Sequence, residues 1–410
     1  MIKQSDLMAV IKRQRSILNK TTSLDRKLLP QIPPIIKDFA LIITGVRRCG
    51  KSTLLAQLIK KEQEKALFLN FDTAKLFDFD FSDFTILDAI LEDNPKITWL
   101  YFDEIQVIDN WEIYIREKLD RGYGIVITGS NASLLSRELG TKLTGRHISR
   151  ELFPFSYDEF CTFKNRAINK KSLLEYLKIG GFPQYIKTGK PIVLNMLIND
   201  ILYRDIAVRY NIRDDKSLKR LLVYLISNVG NLVSATKLKQ TIGVKSTATI
   251  LDYFSFFEQA YLLFLMPKFS YSHKVQLINP KKIYFIDSGL QSEISASFSK
   301  DYGRKLENMM YLELRKITTE LYYYNEKGKE CDFVVCKKNE VKLLIQVCFE
   351  LDNENIEREQ NGLFDAMDFF KKEKGYIITC NQIDTINNQN KTIEVVPIYQ
   401  FDVDHLMNLS

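Results

Sequence analysis

The opening third of the sequence predicts an α/β fold built on a parallel sheet, and three observations predict it. Several nearly uninterrupted apolar runs have the length of strands covered on both faces. A glycine-rich turn follows the first of them, and an amphipathic helical pattern follows that turn. Residues Phe39 to Thr44 make the first run. The turn is Gly45, Val46, Arg47, Arg48, Cys49, Gly50, Lys51, Ser52 and Thr53, with the spacing G-x-x-x-x-G-K-S. From Ser52 to Glu62 the pattern is helical, with Leu54, Leu55, Leu58 and Ile59 on one face. The helix N-terminus points back at the turn, where the macrodipole favours an anion.

Each part of that spacing answers a physical demand. The two glycines let the backbone curl with its N–H groups inward, a cradle for the α- and β-phosphates of a nucleotide. Lys51 reaches the β- and γ-phosphates as a flexible point charge, and the Ser52 hydroxyl is a ligand for Mg²⁺. The reading is a P-loop NTPase with a parallel sheet, Gly45 to Thr53 forming the nucleotide contact. Hydrolysis also needs a carboxylate that positions Mg²⁺ and a group that orients water. Residues Ile97 to Phe102 form a second buried strand ending in Asp103 and Glu104, at the tip where open parallel sheets bind ligands. Asp103 is the candidate for the metal and Glu104 for polarising water; acids that merely cap the next helix are the alternative. A third run, Tyr123 to Thr128, ends in Gly129, Ser130 and Asn131. Ser130 or Asn131 is placed to sense the γ-phosphate and hold the water, and either also suits the N-cap of a helix over residues 132–139.

A chain of 410 residues exceeds one ordinary core, so about two to four domains are expected. Hydrophobic residues at 45% and charged residues at 27% place it among globular proteins. No apolar run is long enough for a membrane span, and the first residues lack the apolar stretch of a secretory signal. The six cysteines, at 49, 161, 331, 336, 348 and 380, have no C-x-x-C spacing, which argues for a reducing, cytoplasmic setting and against disulfides or a zinc ribbon. Three scattered histidines, at 147, 273 and 405, speak against a histidine metal site. The net charge of +7 does not by itself imply a polyanionic partner.

Taken together, G-V-R-R-C-G-K-S-T at 45–53, Y-F-D-E-I-Q at 101–106 with Trp111 shortly after, I-T-G-S-N at 127–131 and L-T-G-R at 143–146 resemble a family of prokaryotic ATPases related to AAA proteins, of the DUF4143 type. The resemblance runs over nearly the whole chain. It implies ATP rather than GTP, and a sheet whose sensor strand lies between the loop strand and the acidic strand. It also implies an ATPase module followed by a winged helix and a nuclease-like C-terminal domain. Arg146 matches the family's G-R position, which implies an arginine supplied to the γ-phosphate of a neighbouring copy in a homo-oligomer. A surface salt bridge is the alternative for Arg146.

The implied division is 1–155 for the ATPase, 156–212 for a helical linker, 213–275 for an all-helical winged-helix region and 276–410 for an α/β domain like restriction endonucleases. The linker carries a turn at Gly180, Gly181, Phe182 and Pro183. The next region reads as helices Ser217 to Asn228, Ser234 to Thr241 and Thr247 to Glu258, the short spacing of a helix–turn–helix. Residues 216–275 hold eight Lys/Arg against two Asp/Glu, a local net charge of +6. Lys237, Lys239, Lys245, Ser246 and Thr247 are the candidate contacts to double-stranded DNA. Against this, Tyr253, Phe254, Phe256 and Phe257 look like packing residues, and no arginine is placed to read guanine. Duplex binding and a purely structural role both remain open.

Beyond residue 276, Lys282 to Asp287 reads as a strand, Gly303 to Asn308 opens a helix, and strands follow at 320–325, 330–336 and 341–349. This layout resembles restriction-endonuclease-like domains, which hold Mg²⁺ with an Asp and a Glu-x-Lys on adjacent strands. Glu307 and Asp332 match acidic positions, but Gln346, Val347 and Cys348 stand where Glu-x-Lys belongs. Glutamine brings no charge to a metal and cysteine does not replace an ammonium, so cutting is not expected unless another acid such as Glu350 substitutes. The functional expectation is a Mg²⁺-dependent ATPase whose nucleotide state drives a DNA-binding or interaction output; the alternative is a switch acting through an unidentified protein partner.

Overall fold

Buried apolar runs become the strands that the sequence predicts, and the polar residues after them become the sheet's functional edge. The computed structural model describes residues 2–19, 23–33, 38–132, 142–295 and 301–409. The chain divides into two units, Met1–Phe153 with Gln259–Tyr261, and Pro154–Glu258 with Leu262–Ser410.

The first unit contains α1 (Gln4–Asn19), β1 (Ala40–Thr44), α2 (Lys51–Glu62), β2 (Ala66–Asn70), α3 (Phe84–Glu92), β3 (Trp99–Asp103), α4 (Trp111–Asp120), β4 (Gly124–Gly129) and β5 (His147–Glu151). The sheet runs β2-β3-β4-β1-β5, and every pairing is parallel. The sensor strand β4 therefore lies between the loop strand β1 and the acidic strand β3, the implied order. Two strands were not legible. β2 is buried but follows α2 after only Gln63–Lys65, so it reads as more of the helix. β5 is half-buried at each position, the exposure of an edge strand, and lacks a continuous apolar run. Apolar side chains from α1, α3 and α4 cover one face of the sheet. Phe71, Phe79, Phe84 and Phe102 meet edge to face, with Phe71–Phe79 and Phe71–Phe102 centroids 5.3 and 5.6 Å apart. Tyr114 stacks on Phe84 at 4.0 Å. Each such ring, once buried, contributes roughly 1.5–3 kcal/mol.

The second unit begins with α5 (Tyr157–Lys164), α6 (Lys170–Ile179), α7 (Pro183–Thr188), α8 (Ile192–Asn199) and a π-helix over Asp200–Val208. Ser156 and Glu159 start α5 with a capping box. Helices α9 (Asp215–Ile226), α10 (Ala235–Ile242) and α11 (Thr247–Gln259) match the expected helical pattern. The region is not all-helical, however. β6 (Leu232–Val233), β7 (Leu263–Met266) and, after α12 (His273–Ile278), β8 (Lys281–Phe285) form an antiparallel sheet in the order β6-β8-β7. Strands as short as β6 carry too few residues to show an alternation in sequence.

There follow α13 (Ser288–Ile294), α14 (Tyr302–Arg315), β9 (Leu321–Glu326), β10 (Lys329–Lys337), β11 (Glu340–Val347), α15 (Ile356–Phe370), β12 (Lys374–Thr379), β13 (Asp384–Asn388), β14 (Lys391–Pro397) and α16 (Val403–Leu409). Their mixed sheet runs β13-β14-β12-β11-β10-β9. Leu363, Ala366 and Met367 of α15 pack on Val334, Leu344, Ile377 and Val395.

One buried acid ties the linker turn in place. Gly180 has φ +77°, and a Cβ on Gly181 would lie 2.2 Å from the Phe155 carbonyl oxygen, so neither position accepts a side chain without strain. The Gly181 N–H donates to Asp287 at 2.6 Å and the Leu290 N–H donates to it at 2.9 Å. Burial pushes the Asp287 carboxyl up to about 6, against backbone hydrogen bonds that pull it down. The fold thus favours the neutral acid; that stabilisation is full below the ordinary carboxylate range and is lost as pH rises through about 6. Asp287→Ala orphans both N–H groups and is expected to cost roughly 2–4 kcal/mol in chemical denaturation. The cost at pH 7.5 should be smaller than at pH 5 by on the order of 1 kcal/mol.

Candidate nucleotide-binding site

The loop is built by close approach and by left-handed backbone. A Cβ on Gly45 would lie 2.1 Å from the Leu152 carbonyl oxygen, and Gly50 has φ +107°. Arg48 also takes positive φ, at 63°. Val46 and Cys49 are fully buried, while Arg48 and Ser52 are exposed and Arg47 and Thr53 half-buried. Arg47 pairs with Asp72 at 3.5 Å. Lys51 is the buried charge of the loop. Its ammonium donates to the carbonyls of Gly45 at 2.9 Å and Val46 at 3.2 Å and lies 3.7 Å from Glu104.

A residue that the sequence did not single out holds the loop from outside. Arg26, 4% exposed, donates to the Cys49 carbonyl at 2.9 Å and to the Phe153 carbonyl at 2.8 Å. Gln57 of α2 anchors the same segment by donating to the Leu24 carbonyl at 2.7 Å. No local pattern reveals such a contact, because Arg26 and Cys49 meet only through the fold.

The parallel register brings the strand tips together. Thr44 lies beside Gly129, Asp103 beside Thr128, and Asn70 beside Asp103. Asp103, 1% exposed, accepts hydrogen bonds from Ser52 Oγ at 2.7 Å, from Asn70 Nδ2 at 2.8 Å and from the Thr128 hydroxyl. Burial, and then the neighbouring Glu104 charge, raise its carboxyl above the ordinary range. Glu104 moves the other way. Burial raises it, but the Lys51 charge and hydrogen bonds from Gln106 and Ser130 outweigh burial and lower it. Glu104 sits in the left-handed region at φ 55° and ψ 37°, a conformation costing a non-glycine residue about 1 kcal/mol or more. Its Oε2 accepts from the Ser130 N–H at 3.2 Å, the Ser130 hydroxyl at 3.0 Å and Gln106 Nε2. The Gln106 amide oxygen is buried and has no hydrogen-bond partner. Ser52 and Asp103 supply hard oxygen donors, a chemistry that fits Mg²⁺ rather than a softer metal.

Of the remaining candidates, Asn131 is buried at the β4 tip; the helix that Ser130 or Asn131 would cap, 132–139, lies outside the described residues apart from Ala132. Arg146 sits elsewhere. Its carbonyl accepts from Ala40 N–H at the N-terminal end of β1, and its guanidinium pairs with Asp120 at 2.8 Å. A five-residue strand spans roughly 16 Å, so Arg146 lies at the opposite edge of the sheet from its own loop. In the second unit, Lys237 and Lys245 are exposed and Lys239 and Thr247 half-buried, while Ser246 Oγ caps α11 by accepting from Thr249 N–H at 3.1 Å. Tyr253, Phe254 and Phe257 are buried. Phe256 stacks on Tyr210 at 3.9 Å.

The structure brings Glu307, Asp332 and Gln346 together but not Cys348, whose thiol donates to the Glu350 carbonyl at 3.1 Å. The acid beside Gln346 is Glu359 of α15, which accepts from its Nε2 at 2.6 Å. Glu350, the substitute considered from sequence, is exposed.

Residues 37–161 match the AAA domain family AAA_14, so the first unit carries a P-loop AAA-type ATPase domain. Residues 170–301 match a domain of unknown function, DUF8612, not the DUF4143 type. The motifs behind that expectation all lie within residues 45–146 and say nothing of the partner domain. The uncharacterized protein MJ1544 of Methanocaldococcus jannaschii is 35% identical over 97% of this chain and 95% of its own length. An uncharacterized protein of Haemophilus influenzae is 32% identical over 82% of this chain and 88% of its own length. AMPPCP-bound DnaA from Aquifex aeolicus is 14% identical, with 61% of this chain and 88% of that chain covered at a TM-score of 0.29, too low to argue from. Among the described residues no helix is long and apolar enough to cross a membrane.

Arg26→Met removes the guanidinium that bridges the Cys49 and Phe153 carbonyls and loosens the loop before ligand arrives. Nucleotide affinity is expected to fall roughly tenfold, read by titration of a fluorescent ATP analogue, with the circular dichroism spectrum unchanged.

Proposed function

The chain belongs to the family that includes MJ1544 of Methanocaldococcus jannaschii, and from that premise we propose that it is a Mg²⁺-dependent ATPase whose nucleotide state drives a DNA-binding output. The observation that carries the reading is the 2.7 Å hydrogen bond from Ser52 to Asp103, which joins the phosphate loop to the acidic strand. Lys51 spends its hydrogen bonds on two loop carbonyls, neutral acceptors that the β- and γ-phosphate oxygens replace with charged ones. That movement weakens its attraction for Glu104. Glu104, at the β3 tip, then orients the attacking water, while Ser130 and Asn131 mark the position of the γ-phosphate. Ser52 and Asp103 would hold Mg²⁺, which would neutralise phosphate charge.

Arg146 acts, in this reading, on the nucleotide of a second copy. What supports a role in trans is its place at the far edge of its own sheet, exposed enough to meet a neighbour. The DNA output is supported by the local charge of residues 216–275 and by the exposed Lys237 within α10 and Lys245 in the turn between α10 and α11. The elements α9, β6, α10, α11, β7 and β8 follow one another as a winged helix does, with residues 267–280 as the wing. A second reading, a switch acting through a protein partner, is favoured by the exposed apolar side chains Tyr271, Leu277 and Ile278 in that same segment.

Steady-state ATP hydrolysis with and without duplex DNA tests the proposal. Lys51→Ala is expected to abolish turnover and nucleotide binding together. Glu104→Gln and Arg146→Ala should each keep binding and lower kcat by about a hundredfold or more. Stimulation by duplex that fades as salt rises supports the DNA output. Turnover indifferent to DNA at every salt concentration rejects it in favour of the protein partner.

A further inference from the structure

The acids that resemble a nuclease centre already surround a cation, and that cation is a side chain. Lys282 of β8 is 3% exposed. Its ammonium lies 2.7 Å from Asp332 Oδ1, 2.6 Å from Glu330 Oε1 and 3.3 Å from Glu307 Oε1. An ammonium has three N–H donors, and here three carboxylates take them. Two of the acids have further donors. Glu307 accepts from Tyr284 Oη at 2.7 Å, and Asp332 Oδ2 accepts from Val347 N–H at 2.9 Å. Gln346 stands where a carboxylate ligand would be, and both ends of its amide are used: the oxygen accepts from Asp332 N–H at 3.0 Å and the nitrogen donates to Glu359.

Mg²⁺ requires near-octahedral oxygen ligation at about 2.0–2.1 Å and keeps several waters. The pocket meets neither demand. Its centre is filled by the Lys282 ammonium, which is buried together with Asp332 and Gln346, while the Glu330 side chain, 40% exposed, stands at its rim. Among the described residues no group of His, Cys, Asp and Glu side chains is placed to share a metal ion. Mg²⁺ therefore does not fit the residues present. The lysine arrives from outside the helix and strands that carry the acids: β8 belongs to the β6-β8-β7 sheet.

We propose that Lys282, Glu307, Glu330 and Asp332 form a clasp, in which the Lys282 ammonium stands where a metal-dependent nuclease holds its divalent cation. The clasp fastens β8 to α14 and β10, and this domain cuts no nucleic acid. The proposal is independent of the ATPase reading and concerns other residues. It accounts for the surviving acids without catalysis, because an ammonium buried among them is unsupported if any one is lost.

The test is Mn²⁺ binding to the full-length, nucleotide-free protein, followed by electron paramagnetic resonance, together with a Mg²⁺-dependent plasmid cleavage assay. In wild type, Asp332→Asn should remove no Mn²⁺ binding, and no cleavage should be seen. Lys282→Ala should gain a Mn²⁺ site that is lost again in Lys282→Ala/Asp332→Asn. Wild-type Mn²⁺ binding that Asp332→Asn abolishes overturns the proposal, as does wild-type cleavage that Lys282→Ala abolishes. A folded Lys282→Ala protein that gains no Mn²⁺ site overturns it as well. Should Lys282→Ala not fold, the wild-type measurements with Asp332→Asn decide alone.

Discussion

The nucleotide site depends on the parallel register that ends β1, β3 and β4 at one level. Parallel strands place all their C-terminal tips on the same edge, so residues far apart in sequence meet there without a dedicated contact to bring them. The pairings Thr44 with Gly129 and Asp103 with Thr128 place Ser52, Asp103 and Glu104 within hydrogen-bonding reach of loop and sensor strand. A one-residue slip would turn Asp103 to the other face, away from Ser52, Asn70 and Thr128. Once the tips are aligned, the short polar side chains at them lie within reach of Asp103. Asn70, Thr128 and Ser52 therefore converge on one carboxylate.

That constraint also explains what the sequence made legible. The strands ending in Thr44, Asp103 and Gly129 announce themselves because each is a buried run followed at once by residues with distinctive chemistry. β2 has the run without the signal, its Asn70 being an ordinary strand end until Asp103 is seen beside it. β5 has neither, since an edge strand half-exposed along its length shows no period. Arg26 and Lys282 were illegible for another reason. Both are single cations whose meaning lies in acceptors 23 and 50 residues away, and no local spacing encodes such a distance. Gln346 reads in the sequence as a break in a metal-binding pattern, and in the structure its amide accepts from Asp332 N–H and donates to Glu359. Lys282 reaches the neighbouring acids from a strand outside that pattern, so no spacing among them announces it.

Two of the buried lysines, Lys51 and Lys282, show how similar chemistry serves opposite ends. Lys51 lies 3.7 Å from one carboxylate, and its shortest contacts are to neutral carbonyls of a glycine-bearing loop. Each such bond contributes only about 0.5–1.5 kcal/mol net, and a phosphate oxygen offers a stronger, charged acceptor in its place. The ammonium can therefore be drawn away by ligand without leaving a buried charge unpaired, since Glu104 keeps donors from Ser130 and Gln106. Lys282 lies on a paired strand with its three donors on three carboxylates. Removing one partner of a buried ion pair costs about 3–5 kcal/mol, because an uncompensated charge stays behind. No incoming anion relieves that cost, since the groups stranded are themselves anions. The first arrangement is poised to exchange partners and the second is built to keep them. The difference lies in what each lysine would leave behind on moving, not in the acidity of its surroundings.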